Sequence, residues 1–314
     1  MSITFEGVSY SYTPPSKKKK KMKGQTNAAS DDAQGQVQDK PDWGSDPNAD
    51  WAIRDINFTI QDGEFFGIAG HTGSGKSTLI QHMNGLLHPS SGRVLVDGED
   101  LAQKKVAIMA RAKVGLVFQY PEHQLFAASV YDDIAFGPHN MGLSADEVDM
   151  RVREALSRVS LDFDTIAQKS PFELSGGQQR RVAFAGVLAM KPSTLILDEP
   201  VAGLDPAARI EFLNFIADLH KQGLTVVMVS HSMNDLARFC DRVLVLKEGQ
   251  RYLMGSPDEV FTRSTELNDI GLSAPSAQRL VDNLRKNGIL LDEGLYDAER
   301  LADSLAALYK KNTV

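Results

Sequence analysis

One stretch limits the folds open to this chain more than any other: Gly70-His-Thr-Gly-Ser-Gly-Lys-Ser-Thr78. An apolar, strand-like run, Glu64 to Ala69, precedes it, and a helical pattern follows from Gly75 to about Leu87. Glycines let backbone amides turn inward around a polyphosphate, and a helix start adds unpaired N–H groups and a positive dipole end. Gly70, His71, Thr72, Gly73, Ser74, Gly75, Lys76, Ser77 and Thr78 are therefore expected to line a phosphate site. Lys76 adds a point charge for β- and γ-phosphates, and the Ser77 hydroxyl can ligate Mg²⁺.

A second signal belongs beside the first. Leu195-Ile-Leu-Asp198-Glu199-Pro200 is an apolar strand ending in two carboxylates. Parallel strands of a layered sheet place such ends at the ligand crevice. Asp198 is then expected to hold Mg²⁺, and Glu199 to polarise an attacking water. The same pair also suits the cap of a following helix.

Elsewhere the pattern alternates between strand and helix. Ser2 to Tyr12, Trp51 to Ile60, Gly92 to Val96, Val114 to Phe118, Thr194 to Leu197, Thr225 to Val229 and Val243 to Leu246 read as strands. Asp62-Gly63 reads as a tight turn of hairpin type. Residues 129–170 read as mainly helical, with Ser144-Ala-Asp-Glu147 as a capping box. Further helices are expected from Ser175 to about Lys191 and from Arg209 to Lys221. This order implies an α/β layered domain. In the tail, Ala277, Leu280, Val281 and Leu284 share one helical face, as do Leu301, Leu305 and Leu308.

Residues 14–50 break the pattern with the lysines Lys17 to Lys21, then a run rich in Gly, Asn, Gln, Ser, Asp and Pro. Such a stretch buries too little to offset the entropy of ordering and reads as a solvated insertion. Its lysines also suit an anionic lipid surface. With 34 basic and 41 acidic residues among 314, the net charge of −7 argues against a whole-surface nucleic-acid binder. No apolar run is long enough to cross a bilayer, and Met1 to Ser11 lacks the order of a secretory signal. Cys240, the single cysteine, has no internal disulfide partner. A cytoplasmic protein is expected.

Four further motifs complete a resemblance. Leu174-Ser175-Gly176-Gly177-Gln178 resembles the signature motif of ABC-type ATPases. Gln119 is similar to the family's Q-loop glutamine, Ala202-Gly203-Leu204-Asp205 to its D-loop, and His231 to its switch histidine. Tyr12 is placed like the aromatic that stacks on adenine. The resemblance implies ATP and Mg²⁺ as ligands. It implies a P-loop ABC ATPase core with a RecA-like parallel sheet, an antiparallel β subdomain and a helical signature subdomain at about 120–190. It also implies that ATP is sandwiched between two subunits. The signature residues Ser175, Gly176, Gly177 and Gln178 of one subunit then face the phosphate loop of the other. Gln119, with Ser77 and Asp198, would hold the metal; Glu199 would activate water; His231 would touch the γ-phosphate; Asp205 would communicate across the pair.

A narrower resemblance follows from Phe118-Gln-Tyr-Pro-Glu-His-Gln-Leu-Phe126, Asp133-Ile-Ala-Phe-Gly-Pro138, Arg180 to Ala189 and the appendix from about Asp269. These are similar to energy-coupling factor (ECF) transporter ATPases, and Pro200 to Asp205 resembles the second of their two paralogues. That family implies a second ABC ATPase subunit (a paralogue or a copy of itself) and an integral membrane coupling subunit. Through the latter it implies a substrate-binding membrane subunit for a vitamin or transition-metal ion. It implies no nucleic acid, and a peripheral place on the cytoplasmic face of the membrane. Leu125 and Phe126 are expected to be exposed where the coupling subunit docks. The domain division expected is an ATPase domain over 1–262 and a helical dimerisation appendix over 263–314. Two other classes stay open. One is a non-transport ABC ATPase, against which the single phosphate loop and single cysteine argue; the other is an inert ATP-binding module, against which Glu199 and His231 argue.

Overall fold

The computed structural model describes residues 1–13, 50–291, 294–296 and 298–312. The lysine run and all of the 14–50 insertion except Asp50 lie outside the described residues. Strands β1 (Ile3–Tyr10) and β2 (Ile53–Ile60) pair antiparallel, with Ile3 opposite Ile60. Their inward residues Ile3, Phe5, Val8, Ile53, Ile56 and Ile60 are buried, the alternation being offset by register shifts after Phe5 and after Val8. The chain then enters β3 (Phe65–Gly70), every residue of which is buried.

The turn before β3 corrects the sequence reading. Asp62-Gly63 does not close a hairpin: β2 pairs with β1, whereas β3 lies parallel to β8 (Thr225–Val229) and β9 (Arg242–Lys247) in another sheet. The turn carries the chain from one sheet to the next. A strand apolar on both faces is most stable in the middle of a covered parallel sheet.

After α1 (Lys76–Met83), β4 (Ser91–Val96) returns to the free side of β1 and β5 (Glu99–Asp100) extends it, giving the sheet order β2-β1-β4-β5. Helix α1 stops before the expected Leu87. Helix α2 (Lys104–Lys113) leads into β6 (Val114–Val117). Four helices follow: α3 (Val130–Asn140), α4 (Ala145–Arg158), α5 (Phe163–Ile166) and α6 (Gly176–Leu188). Strand β7 (Thr194–Asp198), α7 (Pro206–Lys221), β8, α8 (Met233–Phe239), β9 and β10 (Gln250–Gly255) complete a sheet ordered β10-β9-β3-β8-β7-β6. Only its edge strand β10 is antiparallel to its neighbour.

Two cores flank this sheet. Phe66, Ile68, Ile196 and Val227 pack toward the antiparallel sheet, while Phe65, Ala69, Leu195, Leu197 and Met228 pack toward the helices. At Ser144 half of the expected capping box forms. Its hydroxyl accepts the Glu147 N–H, but the Glu147 carboxylate pairs with Arg151 at 2.8 Å instead of reaching back.

The chain ends in α9 (Pro257–Phe261), α10 (Ser264–Asp269), α11 (Ser276–Lys286) and α12 (Ala298–Asn312). Ala277, Val281, Leu291, Leu295 and Leu301 bury together, with Leu284 and Leu305 packed against them. The two apolar faces expected in the tail therefore close largely on each other. Leu280 is not part of that face: it stands 45 % exposed at its edge.

Candidate nucleotide site

The phosphate loop begins where β3 ends. Gly70 has φ +151°, and a Cβ there would lie 2.4 Å from Ser74 Oγ and 2.6 Å from the Leu246 carbonyl. At Gly75, with φ +98°, a Cβ would meet the Ala52 carbonyl at 2.5 Å. Glycine alone allows both the turn and the close approach. Gly75 is also the N-cap of α1 and has no side chain to occupy the first-turn amides. The Lys76 side chain runs back into the loop, donating from Nζ to the carbonyls of Gly70 at 2.7 Å and His71 at 2.8 Å. Burial lowers its pKa, against the pull of Glu199 and Asp198.

Strand β7 brings the carboxylates to the same end of the sheet. Ser77 Oγ donates to Asp198 Oδ2 at 3.3 Å, and burial raises the Asp198 pKa. Glu199 takes the left-handed conformation, φ +50°, which few non-glycine residues adopt. Its carboxyl is pushed up to about 7 by burial. Glu199 Oε2 accepts the His231 N–H at 3.4 Å. Oε1 lies 3.2 Å from His231 Nε2, yet has no aligned hydrogen bond and is buried. Burial, then the charges of Lys76 and His71, lower the His231 pKa, keeping that imidazole neutral near pH 7.

The other expected residues fall into three groups. Tyr12 stands at the rim, 63 % exposed, its hydroxyl 3.0 Å from Thr78 Oγ1 and its ring edge-on to Tyr10. Gln119 lies two residues past β6, exposed, and no hydrogen bond joins it to Ser77 or Asp198. The signature residues lie apart from the loop. Ser175 caps α6 in a reciprocal box with Gln178, and Gly176 and Gly177 border open space. No hydrogen bond joins these four to residues 70–78. The Asp205 carboxylate caps α7, accepting from the Ala207 and Ala208 N–H groups at 2.9 and 3.0 Å.

Leu125 is a correction: it is buried in the helical-side core, and Phe126 alone of the pair is exposed, at 61 %. The backbone is extended at Leu125, just after the 3-10 turn Pro121–Gln124, so successive side chains face opposite ways. The sequence reading also passed over a buried tie. Arg180 on α6 donates to both Glu122 oxygens, at 3.1 and 3.2 Å, and to the Ala202 carbonyl at 3.0 Å. It joins the segment after Gln119, the signature helix and the loop of Asp205. The doublet Arg180-Arg181 one turn inside α6 was its only trace in the sequence.

Known proteins share this arrangement. The ABC transporter family matches residues 53–202. The energy-coupling factor transporter ATP-binding protein EcfA2 of Symbiobacterium thermophilum is 58 % identical over 238 residues, 76 % of this chain and 82 % of that protein. The chain belongs to the ECF transporter ATP-binding proteins. EcfA2 of Clostridium tetani is 50 % identical over 260 residues, 82 % of this chain and 90 % of that one. Among solved structures, cbiO1 of Clostridium perfringens, part of the ABC transporter complex cbiONQ, matches with TM-score 0.66 and 36 % identity over 89 % of this chain and 98 % of its own. The ATP-binding cassette MJ0796, a dimer bound to ADP and Pi, matches with TM-score 0.63 and 26 % identity over 81 % of this chain and 98 % of its own. As a member of the ECF ATP-binding proteins, the chain is an ABC-type ATPase, with the α/β fold of that class.

The site fits ATP and a magnesium ion. The loop offers a glycine cradle, a buried ammonium and a buried Ser74 hydroxyl without a hydrogen-bond partner. Ser77 Oγ and Asp198 Oδ2 form a pair of hard oxygen donors, the small protein set that suits a cation keeping waters and phosphate oxygens.

Proposed function

We propose that this chain is the ATP-hydrolysing subunit of an ECF-type importer, working as one half of an ABC ATPase pair. One observation carries the reading. Lys76, Ser77, Asp198, Glu199 and His231 converge at the C-terminal ends of the central strands β3, β7 and β8, while the signature residues, with open space at Gly176 and Gly177, share no hydrogen bond with that cluster. A two-fold pair gives each half what it lacks, since it sets the signature of one subunit against the phosphate loop of the other. The partner subunit is a paralogue or a second copy.

Within that site each residue has a distinct task. Tyr12 stacks on the base. The loop amides and Lys76 bind the β- and γ-phosphates, and Ser175, Gly176, Gly177 and Gln178 close over them from the partner. Ser77, Asp198 and Gln119 would hold Mg²⁺, which neutralises phosphate charge. Glu199, when ionised, accepts a hydrogen bond from the attacking water through its unpartnered Oε1 and can receive that water's proton. The backbone N–H of His231 keeps Glu199 in place, and its neutral imidazole donates toward the γ-phosphate. Asp205 ties the cap of α7 to the facing subunit.

Among the described residues no helix is long and apolar enough to cross a membrane. Transport therefore needs an integral coupling subunit, docked near Tyr120 to Phe126, and a membrane subunit that captures a vitamin or transition-metal ion. This chain then sits peripherally on the cytoplasmic face. Residues 1–262 form the ATPase and 263–314 the appendix. Purification of the tagged chain from its native membrane tests the reading. Recovery of an integral membrane protein, with a paralogous ABC ATPase or a second copy of this chain, is expected; a homodimer without any membrane protein would overturn the importer reading.

A further inference from the structure

The phosphate loop is held from outside as well as from within. His71, its second residue, donates from Nε2 to the carbonyl of Ile270, in the first part of the appendix, ahead of α11. That segment is fixed. Ile270, Leu272 and Ala274 are buried in the helical-side core. Ser276, the first residue of α11, is tied to Asn234, three residues after His231: the Ser276 N–H donates to Asn234 Oδ1 at 2.8 Å, and the two side chains meet at 3.1 and 3.2 Å. Gly271 has φ +71°, and a Cβ there would lie 3.0 Å from His71 Nε2. Glycine is what lets the segment pass so close to the imidazole. Between these contacts lies a cavity of about 350 Å³ bordered by His71, His231, Ser273 and Arg279.

His71 is thus held at two points. Its side chain is held by the Ile270 carbonyl, and its own carbonyl accepts from Lys76 Nζ at 2.8 Å. Glycines at 70, 73 and 75 widen the backbone conformations open to the loop, so holding one of them on binding costs entropy. An anchor that fixes His71 before the nucleotide arrives removes part of that cost.

We propose that Ile270–Ser276 is a positioning element for nucleotide binding, holding the phosphate loop through His71 and thereby linking the appendix to the ATP site. The proposal rests on reading residues 70–78 as the phosphate site. His71 and Gly271 act as positioning residues, and Asn234 fixes the segment to the helix behind the switch histidine.

Equilibrium titration of the full-length chain with a fluorescent ATP analogue tests it. His71→Ala and Gly271→Ala are each expected to weaken binding three- to tenfold. The double variant should be no weaker than the worse single one, because both break one contact. His71→Gln, whose amide can still donate to the Ile270 carbonyl, should recover most of the affinity. A merely structural role for His71 would show as a lowered Tm without that recovery. Unchanged affinity in His71→Ala, or losses that multiply in the double variant, would overturn the proposal. If Gly271→Ala fails to fold, the His71→Ala and His71→Gln pair decides. Lys76→Ala separates the two levels. If it also binds normally, the phosphate-site reading fails; if it abolishes binding while the His71 variants bind normally, only the anchor fails.

Discussion

At the scale of single residues, Glu199 is where the proposed chemistry and its structural cost coincide. Burial holds its carboxyl protonated up to about 7, and its backbone sits at φ +50°. A water-polarising carboxylate works only when ionised. The kcat/KM for ATP, which reports groups of the free enzyme, should therefore rise through about pH 7 and flatten above it. Glu199→Gln should retain ATP binding, lose turnover by about two orders of magnitude or more, and lose that rise. Near-normal hydrolysis by this variant would remove Glu199 from the role. The same shift also affects stability. The ordinary value is 4.5 and the folded value about 7, so between them the folded chain holds a proton that the unfolded chain releases. Stability contributed by the neutral carboxyl is thus full below pH 4.5 and lost as pH rises to 7. Without nucleotide, Glu199→Gln should be more stable than the parent at pH 8 by about 2–3 kcal/mol, and the difference should close near pH 4. Denaturant titrations at the two pH values check this.

At the scale of elements, the site depends on ties that cross from one segment to another. Arg180 is buried, and, against the burial that would raise it, holds Glu122 below the usual carboxylate range. Glu122→Ala would strand that guanidinium in the interior and should cost about 3–5 kcal/mol, read from the urea midpoint. Ser175→Ala removes one half of the α6 capping box and should cost only about 1 kcal/mol. What was legible in the sequence follows the same division. The phosphate loop and β7 could be read because their chemistry is local: glycines where φ is positive, and carboxylates at the end of an apolar run. Even the Ser175 cap was legible as a helix start. The division into a parallel sheet and an antiparallel one came from the family resemblance; the residues alone did not show where the chain crosses between them, because Asp62-Gly63 suits a hairpin and a crossing equally well. Helix α2 escaped notice because only Ala107 and Ala110 are buried while Ile108 and Met109 face solvent, which blurs the apolar stripe. Arg180 escaped because its partners, Glu122 and Ala202, are remote in sequence. The His71 contact with Ile270 spans 199 positions and has no local signature at all.

At the scale of the whole molecule, the buried apolar residues gather in three clusters, and several large apolar side chains stay exposed. Two cores cover both faces of the parallel sheet, and the appendix closes a third cluster on itself. Phe126 and Phe136 are different: they stack edge to face at 5.0 Å, yet stand 61 % and 52 % exposed. Leu125, beside them in sequence, is already committed to the core, so under the proposed function the contact expected for a membrane subunit narrows to this aromatic pair and its surroundings. Because Phe126 is exposed, Phe126→Ser should change stability by about 0.5 kcal/mol or less. Serine is preferable to aspartate as the probe. The Phe126 N–H already donates to Asp133, a half-buried carboxylate, and a second negative charge there would confound the result. ATP binding by the isolated chain should be unchanged, since the phosphate loop lies on other elements. Recovery of the membrane coupling subunit with the tagged variant should fall at least tenfold, as expected when an aromatic anchor is lost from the centre of an interface. Undiminished recovery would move the docking surface off this pair. Reduced recovery accompanied by weakened ATP binding would mean instead that Phe126 supports the fold.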